Sequence, residues 1–388
     1  MNITKIREDF PVLEKKTYFN SAAHGPTLQP VYNAVRDWWK NRINEKKFDP
    51  PDVLNEASKL LHCSKEEIVQ ISRVSQGLNM IAEMMKPQKG ENIVVTDLAY
   101  QSNVFVWMPY LENGVELKRI PHHEGIIDAN DFEKTIDDKT KAVCISEVEW
   151  TSGIRYEMKE IADISHNHGA YLINDAYQAV GPVEVNLHRE NVDFLVIGSE
   201  KWLCCPTMSG ILYVRKDIQD EFKSGYQFYK NVEEAFRNGD PWEKPDHDNI
   251  SSYNHSLYDD ARKYNRGTVS EEDSWGFYAA LQYFNKLGTE NIEKRTAKLT
   301  QKLIEGLEDH PVKINTPFEQ EKRAGLVTYD TEDFDLNQRI FEKLLSEDII
   351  VAHRYASGIG GIRVSCHFFN IEEEIDRLLD IQARILQI

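Results

Sequence analysis

Two residues of this 388-residue sequence are well suited to chemistry, a lysine and an aspartate that each follow an apolar, strand-like run. Asp175 follows Tyr171-Leu172-Ile173 after one asparagine, and Lys201 lies 26 residues further on, after a second apolar run and a Gly-Ser-Glu turn. Taken singly, they would be an exposed turn lysine and a strand-end aspartate. Together they supply an amine that can form a Schiff base and a carboxylate that can keep a pyridine nitrogen protonated, as pyridoxal phosphate requires. The pair favours an enzyme that uses this cofactor.

The surrounding pattern predicts a parallel sheet. Short apolar runs rich in β-branched residues alternate with helical patterns through the first two thirds of the chain, which is typical of βαβ units. Ligands of such sheets bind at the carboxyl ends of the strands, so we expect Asp175 and Lys201 at one edge. Apolar spacing predicts a crossover helix over residues 156–168 that stops at Gly169. The predicted strands are Asn92–Thr96, Ala142–Ser146, Ala170–Ile173, Phe194–Ile197 and Ile211–Val214.

The length and the later pattern predict two domains. We expect residues 18–268 to form a large cofactor-binding domain and residues 269–388 a smaller α+β domain, with residues 1–17 packing against the smaller one. Ser270 predicts the N-cap of a long helix, and a closing helix is predicted after Asn370, with Glu373 completing a capping box. Residues 216–260 predict a loop-rich insertion, either near the mouth of an active site or as a plain surface excursion.

Composition excludes several classes of function. With 64 acidic and 46 basic residues and a net charge of -18, the surface should repel nucleic acid and anionic membranes. The N-terminus has no apolar signal core and no run approaches the ~20 apolar residues of a membrane span, so we expect a cytoplasmic protein. Five cysteines without paired metal-ligand spacing indicate reduced thiols and no structural zinc.

Two further motifs could serve the same cofactor. Arg73-Val74-Ser75-Gln76-Gly77 precedes an apolar run and predicts the start of a helix, where backbone amides and the positive helix end could bind phosphate. The alternative is an ordinary helix cap. Gln178 could donate to the phenolic oxygen of the cofactor or cap a turn.

In this order along the chain, the motifs resemble the class V aminotransferase family of fold-type I pyridoxal-phosphate enzymes, which includes cysteine desulfurases, kynureninases and isopenicillin N epimerase-like proteins. The resemblance extends from residues 18–26 (YFNSAAHGP) to residues 362–365 (IRVS). It implies an α/β large domain with a mostly parallel seven-stranded sheet flanked by helices, and a smaller α+β C-terminal domain. Arg266-Gly267-Thr268 resembles the segment that reaches the phosphate of the neighbouring subunit, which implies a homodimer with composite active sites.

The resemblance also implies a role for each matched residue. Lys201 is the Schiff-base lysine, Asp175 the partner of the pyridine nitrogen and Gln178 the partner of the phenolic oxygen. Arg363 holds the substrate carboxylate, a task suited to a planar two-pronged donor, although a surface arginine after a strand is the alternative. The remaining cofactor residues implied are Ser75 and Gln76 at the phosphate loop, Tyr100 stacked on the cofactor ring and Thr268 at the phosphate.

Some positions depart from the family pattern. Glu200 stands beside the lysine where histidine or tyrosine is usual, and Trp150 stands where desulfurases commonly have asparagine. A carboxylate next to the phosphate would repel it, so we expect Glu200 to turn outward or to pair with a basic group. Desulfuration needs a cysteine on a loop ahead of the carboxylate-binding arginine, and residues 351–361 contain none. Cys366 follows Arg363 and is interpreted as a packed thiol, so desulfurase activity is disfavoured.

The resulting prediction is a pyridoxal-phosphate enzyme that acts at the α-carbon of an amino acid or a related amine. Aminotransferase is the leading activity because it is the commonest in the family, with Lys201 removing the α-proton. A lyase or epimerase on the same scaffold is the second hypothesis. A non-catalytic binding or regulatory protein that kept the fold is the third, and the joint presence of Lys201, Asp175 and Gln178 argues against it.

Overall fold

The structure is a computed structural model that describes residues 1–46, 49–226, 231–233 and 256–387. Most of the insertion predicted for residues 216–260 lies outside the described residues. The helices are α1 Ile3–Glu8, α2 Gln29–Ile43, α3 Val53–Leu61, α4 Val74–Met85, α5 Gln101–Phe105, α6 Met108–Leu111, α7 Ala129–Thr135, α8 Met158–Asn167, α9 Leu187–Glu190, α10 Glu271–Leu287, α11 Thr289–Glu308, α12 Phe334–Ser346 and α13 Glu372–Leu386. The strands are β1 Thr17–Tyr18, β2 Ile68–Ile71, β3 Asn92–Thr96, β4 Glu116–Ile120, β5 Thr140–Ser146, β6 Tyr171–Asp175, β7 Phe194–Gly198, β8 Gly210–Val214, β9 Lys313–Ile314, β10 Leu326–Asp330, β11 Ile349–Ile350, β12 Ala352–Ala356 and β13 Ile359–Ser365.

A seven-stranded sheet in the order β2-β8-β7-β6-β5-β3-β4 forms the centre of the molecule. Its strands are parallel except β8, which pairs antiparallel with both β2 and β7. Helices cover the sheet, and β3 and β7 are buried along their whole length, which explains their continuous apolar sequences. This is the α/β fold class that the sequence predicts. The direction of β8 follows from its connection, because residues 199–209 contain no crossover helix that would bring the chain back parallel.

The sequence pattern located five of the seven strands to within two residues and missed β2 and β4. β4 has only one buried residue, so its sequence lacks the apolar run that marks the others. The crossover helix α8 begins at Met158 rather than at residue 156, because the Tyr156 N–H is held by the carbonyl of Glu147. Ser270 caps α10 as predicted.

A four-stranded antiparallel sheet, β12-β13-β10-β9, lies in the C-terminal part of the chain with α11, α12 and α13. The N-terminal segment contacts this part: β1 pairs with β11, and Arg7 forms an ion pair with Glu374 at 2.9 Å. Glu374, and not Glu373 as predicted, closes the start of α13 by accepting from the Ile371 N–H at 3.1 Å. The domain boundaries themselves stay a prediction. Within the described ranges, no helix is long and apolar enough to cross a membrane.

Helix α4 approaches the sheet closely because residue 77 is glycine. A Cβ at Gly77 would lie 2.6 Å from Val196 Cγ1 and 2.8 Å from Ile71 Cδ1, both closer than real Cβ contacts. Val196 is in β7, next to β6. The glycine therefore sets how closely the N-terminus of α4 approaches the carboxyl ends of β6 and β7.

We expect Gly77→Val to lower the free energy of unfolding by about 1–3 kcal/mol, because the added side chain overpacks a filled contact. Urea unfolding followed by circular dichroism measures the change. The control is Asn79→Ala on the exposed face of α4, which should change the free energy by no more than about 0.5 kcal/mol. Equal stability of wild type and Gly77→Val would show that the helix shifts freely.

Candidate active site

Asp175 and Lys201 lie at the same carboxyl edge of the large sheet. Asp175 is the last residue of β6, and Lys201 follows the end of the adjacent strand β7 by three residues. The Lys201 amine lies over two aromatic rings, with Nζ 3.8 Å from the ring centroid of Tyr177 and 5.6 Å from that of Tyr100. The rings and the carboxylate thus surround the amine on the side where ligands of parallel sheets bind.

Burial controls the charge of Lys201. Desolvation lowers the pKa of the Lys201 amine to about 8; the charges of Asp175 and Glu200 oppose this shift, and that of Arg363 adds to it. A lysine with this pKa has a substantial neutral fraction in mildly alkaline solution, unlike an exposed lysine. The neutral amine is the nucleophilic and basic form, so the site makes Lys201 reactive.

Asp175 is buried, and its carboxylate accepts a backbone hydrogen bond. Its Oδ1 accepts from the Tyr177 N–H at 3.1 Å. Desolvation raises the pKa of Asp175 to about 6, against the opposing effects of the Lys201 charge, the Tyr177 N–H and the Asn103 side chain. A positively charged ring nitrogen beside this carboxylate would favour its ionised form. Asn103, buried in α5 and bonded to Ser146 at 3.0 Å, was given no role by the sequence analysis.

A cavity of about 290 Å³ lies in front of Asp175 and Tyr177; Lys201 is not among its lining residues but contacts the rings of Tyr177 and Tyr100, which are. The cavity is bounded on one side by the first turn of α4, which contains Ser75, and on others by Tyr100 and Asp175. Amides of a first helical turn lack intrahelical partners, so this wall is suited to an anion. Tyr100 is 44% exposed, which leaves its ring free to stack. Three of the predicted cofactor residues therefore line one cavity whose walls fit a phosphorylated aromatic ring.

Two other predicted cofactor residues are bonded to the protein and do not line this cavity. Gln76 Oε1 accepts from the Ser72 N–H at 2.9 Å, so its side chain closes the start of its own helix. Gln178 Nε2 donates to the Ala22 carbonyl at 3.1 Å, and its Oε1 accepts from the Trp202 indole at 2.7 Å. One N–H of the Gln178 amide remains for a ligand. Their cofactor contacts stay predictions.

Arg363 is 2% exposed, so the alternative of a surface arginine is wrong. Its Nη1 donates to the Trp150 carbonyl at 2.8 Å, and its buried Nε has no hydrogen-bond partner among the described residues. Desolvation lowers the pKa of Arg363 to about 9, and the charge of Arg354 acts in the same direction. The Trp150 ring packs edge-on against Tyr100, with centroids 5.6 Å apart. Trp150 thus joins the predicted carboxylate-binding arginine to the predicted stacking tyrosine.

Glu200 lines the cavity, so the expectation that it turns outward is wrong. Its charge favours the protonated form of the Lys201 amine, and its pairing with a basic group stays a prediction. Burial and the nearby Glu200 carboxylate together raise the pKa of Tyr177. The Tyr177 ring fits there because residue 198 is glycine: a Cβ at Gly198 would lie 2.7 Å from Tyr177 Cε2. The sequence signal was the glycine at the end of the strand, which we had interpreted only as a turn.

Thr268 is exposed and lies away from the cavity. Its neighbour Arg266 forms an ion pair with Glu83 of α4 in the same chain. Contact of this segment with a neighbouring subunit stays a prediction. No group of histidine, cysteine, aspartate and glutamate side chains in the described part of the chain could hold a metal ion.

This sheet, with a partly neutral lysine and a buried aspartate at its edge, defines a fold-type I pyridoxal-phosphate-dependent enzyme. The family model for class-V aminotransferases matches residues 52–378, and the chain belongs to that family. Pyridoxal 5'-phosphate is its cofactor.

The chain is similar to two relatives over nearly its whole length, and two solved structures of one other protein share its fold. A probable cysteine desulfurase of Methanothermobacter thermautotrophicus is 25% identical and covers 97% of this chain and 96% of its own length. An uncharacterised aminotransferase of Schizosaccharomyces pombe is 27% identical, and the match covers 97% of this chain and 94% of the relative. The solved structure of the cystine C–S lyase C-DES with its product cysteine persulfide has a TM-score of 0.83 at 21% identity, covering 96% of this chain and 99% of the other. A C-DES mutant with glycine covalently linked to the cofactor has a TM-score of 0.85 at 20% identity, and the match covers 97% of this chain and 98% of the other.

We expect the rate of cofactor capture by the apoprotein to rise with pH to a midpoint near 8, because the neutral Lys201 amine attacks the cofactor aldehyde. Glu200→Gln should move this midpoint to lower pH, since the Glu200 charge favours the protonated amine. Stopped-flow visible absorbance after mixing with pyridoxal phosphate measures both. Glu112→Gln, an exposed change of equal charge, is the control and should leave the midpoint unchanged. A midpoint that stays in place in Glu200→Gln would contradict the coupling.

Proposed function

We propose that this enzyme acts at the α-carbon of an amino acid, with Lys201 as the residue that bonds the cofactor and then moves the α-proton. The observation that carries this proposal is the Lys201 amine, held partly neutral at the sheet edge beside Asp175. Asp175 would hold the pyridine nitrogen, the first turn of α4 the phosphate, and Tyr100 the ring face. When bound, pyridoxal phosphate supplies an electron sink for the α-carbon.

The surroundings of Lys201 suit it to accept and return a proton. Its pKa of about 8 lies near the pH at which a general base is most effective. The Tyr177 ring beneath the amine and the Tyr100 ring beside it keep it near the cavity, and a charged ammonium is attracted to both ring faces. These contacts support the proposed role of Lys201 in moving the α-proton of a bound substrate.

Arg363 would bind the substrate carboxylate. The guanidinium is buried, and one of its five N–H groups is used by the Trp150 carbonyl. Its unpartnered Nε, together with a second nitrogen, can meet a carboxylate with two parallel hydrogen bonds. A substrate carboxylate there would also remove the penalty of a buried, uncompensated charge.

Transamination is the leading reaction because the residues that it needs are present and a reactive thiol is not. The strands of the β12–β13 hairpin are joined by only two residues, Ser357 and Gly358, both with positive φ. The turn is fastened to the neighbouring loop, where Ser357 Oγ donates to the Asp97 carbonyl at 2.6 Å. No cysteine lies in this hairpin, and burial raises the pKa of all five thiols of the chain.

β-Elimination from a sulfur-containing amino acid is the second candidate. It is supported by the likeness to the C–S lyase C-DES and by the relative named as a desulfurase. In elimination the leaving group departs by itself, so no protein thiolate is required. The proposal also includes a homodimer in which the Arg266-Gly267-Thr268 segment, of which Thr268 is exposed, reaches the phosphate of the other subunit.

We expect the holoenzyme to convert at least one amino acid in a scan of amino acids. Transamination would be seen as loss of the visible cofactor band. Elimination would be seen as release of ammonia and a keto acid. Lys201→Ala should lower the rate by about 10²–10⁴-fold, as expected for loss of a general base. Lys89→Ala, an exposed lysine, is the control. Absence of both products across all amino acids would contradict the proposed activity and favour a binding protein.

Incubation with L-cysteine should leave every cysteine of the enzyme free of persulfide, because none is a thiolate on a loop at the site. Intact-protein mass spectrometry detects the added sulfur, and a cysteine desulfurase with a loop cysteine serves as the positive control. Persulfide accumulating on one cysteine during turnover would instead support desulfurase activity.

A further inference from the structure

A second cleft lies apart from the cofactor cavity. It has a volume of about 1150 Å³ and is bounded by α7, α8, α9 and the start of α11. None of the residues that line the cofactor cavity lines it. Nine carboxylates and three basic side chains surround the cleft, so its surface carries an excess of negative charge.

The basic side chains of the cleft are already bonded. Arg155 donates through Nε to Glu147 at 3.2 Å, through Nη1 to Glu293 at 2.7 Å and through Nη2 to the Glu184 carbonyl at 2.8 Å. Lys159 pairs with Asp163 in the next turn of α8. Arg189 lies 3.5 Å from a Glu184 oxygen. The excess negative charge is therefore not compensated within the cleft.

Glu190 is the carboxylate whose bonding is incomplete. It is 3% exposed and lines the cleft. Its Oε1 accepts from the Asn186 N–H at 2.8 Å, but its buried Oε2 has no hydrogen-bond partner among the described residues. A buried carboxylate oxygen without a donor is costly. Protonation would not remove the problem, because the O–H would then need an acceptor.

We propose that this cleft binds an aliphatic polyamine, with one primary ammonium group donating to Glu190 Oε2. A single free oxygen suits a compact point donor better than a planar guanidinium, which prefers two acceptor oxygens. The apolar side chains of Met158 and Ile164 line the same cleft and can contact the methylene stem. Carboxylates further out, among them Glu133 and Glu157, can bind a second ammonium group.

Binding is expected to release a proton. Desolvation and the charge of Glu147 raise the pKa of Glu190. The raised pKa favours the protonated form of Glu190, and a bound ammonium group, which favours the carboxylate, shifts it towards the ionised form. A lysine side chain of another protein shares the ammonium chemistry, so the experiment must separate the two sources.

The test is isothermal titration of the holoenzyme with spermidine at about pH 7, in two buffers of different ionisation enthalpy. We expect saturable binding with proton release and an unchanged visible spectrum, which separates the cleft from reaction at the cofactor. Glu190→Gln, whose amide oxygen can still accept from Asn186, should weaken binding by about tenfold or more and abolish the proton release. Glu133→Gln, the same substitution at an exposed carboxylate of the cleft, should weaken it by only about twofold.

Four outcomes would overturn the proposal. The first two are the absence of saturable binding and equal weakening of binding by the two variants. The third is a spermidine-induced change in the visible spectrum together with full affinity in Glu190→Gln. The fourth is binding of a lysine-rich peptide, acetylated only at its N-terminus, without binding of spermidine. Protection against heat gives a second measurement: spermidine should raise the melting temperature of the wild type and not that of Glu190→Gln. Because Lys201 does not line this cleft, the Lys201→Ala enzyme should bind spermidine normally, so failure here and failure of the proposed reaction are distinguishable.

Discussion

The rest of the site depends on the attraction between the Lys201 ammonium and the Asp175 carboxylate, both removed from water at the edge of the sheet. Burial lowers the pKa of the lysine and raises that of the aspartate, so each group reduces the shift of the other. A buried charge without such a partner would cost several kcal/mol. The fold provides the pairing by placing β6 and β7 side by side, with Asp175 opposite Val196. Reactivity and stability are thus coupled, because the desolvation that makes the amine reactive is tolerable only beside the carboxylate.

Close packing around Lys201 joins distant parts of the chain. Gln178 connects the Ala22 carbonyl to the Trp202 indole, and His367 Nε2 donates to the Trp202 carbonyl at 2.7 Å. Burial lowers the pKa of His367 to about 4, so this histidine stays neutral and its contact does not vary across the physiological range. The segment that follows Lys201 is therefore held by both the N-terminal and the C-terminal parts of the chain. A displacement of either part would move the amine.

The sequence predicted what depends on local pattern and could not predict what depends on contacts between distant residues. Apolar runs gave β3 and β5 to β8, and the ends of those strands gave Asp175 and Lys201. Arg363 was matched by resemblance, but its burial depends on β10 and β12, which flank it in the second sheet. The partner of Glu200 was missed because Tyr177 reaches it only where Gly198 leaves room. Gln76 was placed correctly at the helix start, yet its side chain bonds to Ser72, a choice that residue type alone does not reveal.

The geometry of the β12–β13 hairpin bears directly on which reaction the site can support. A mobile cysteine loop would have to be long enough to carry its thiol to the substrate sulfur, whereas here two residues connect the strands. His122 accepts from the Gly125 N–H through Nδ1, which leaves Nε2 to donate to the Ser357 carbonyl at 2.9 Å. The turn is thus bonded through its backbone to His122 and through its side chain to Asp97, which precedes Tyr100. A hairpin fixed in this way, with no cysteine in it, agrees with the proposed reactions, in which Lys201 would move the protons and no protein thiolate is needed.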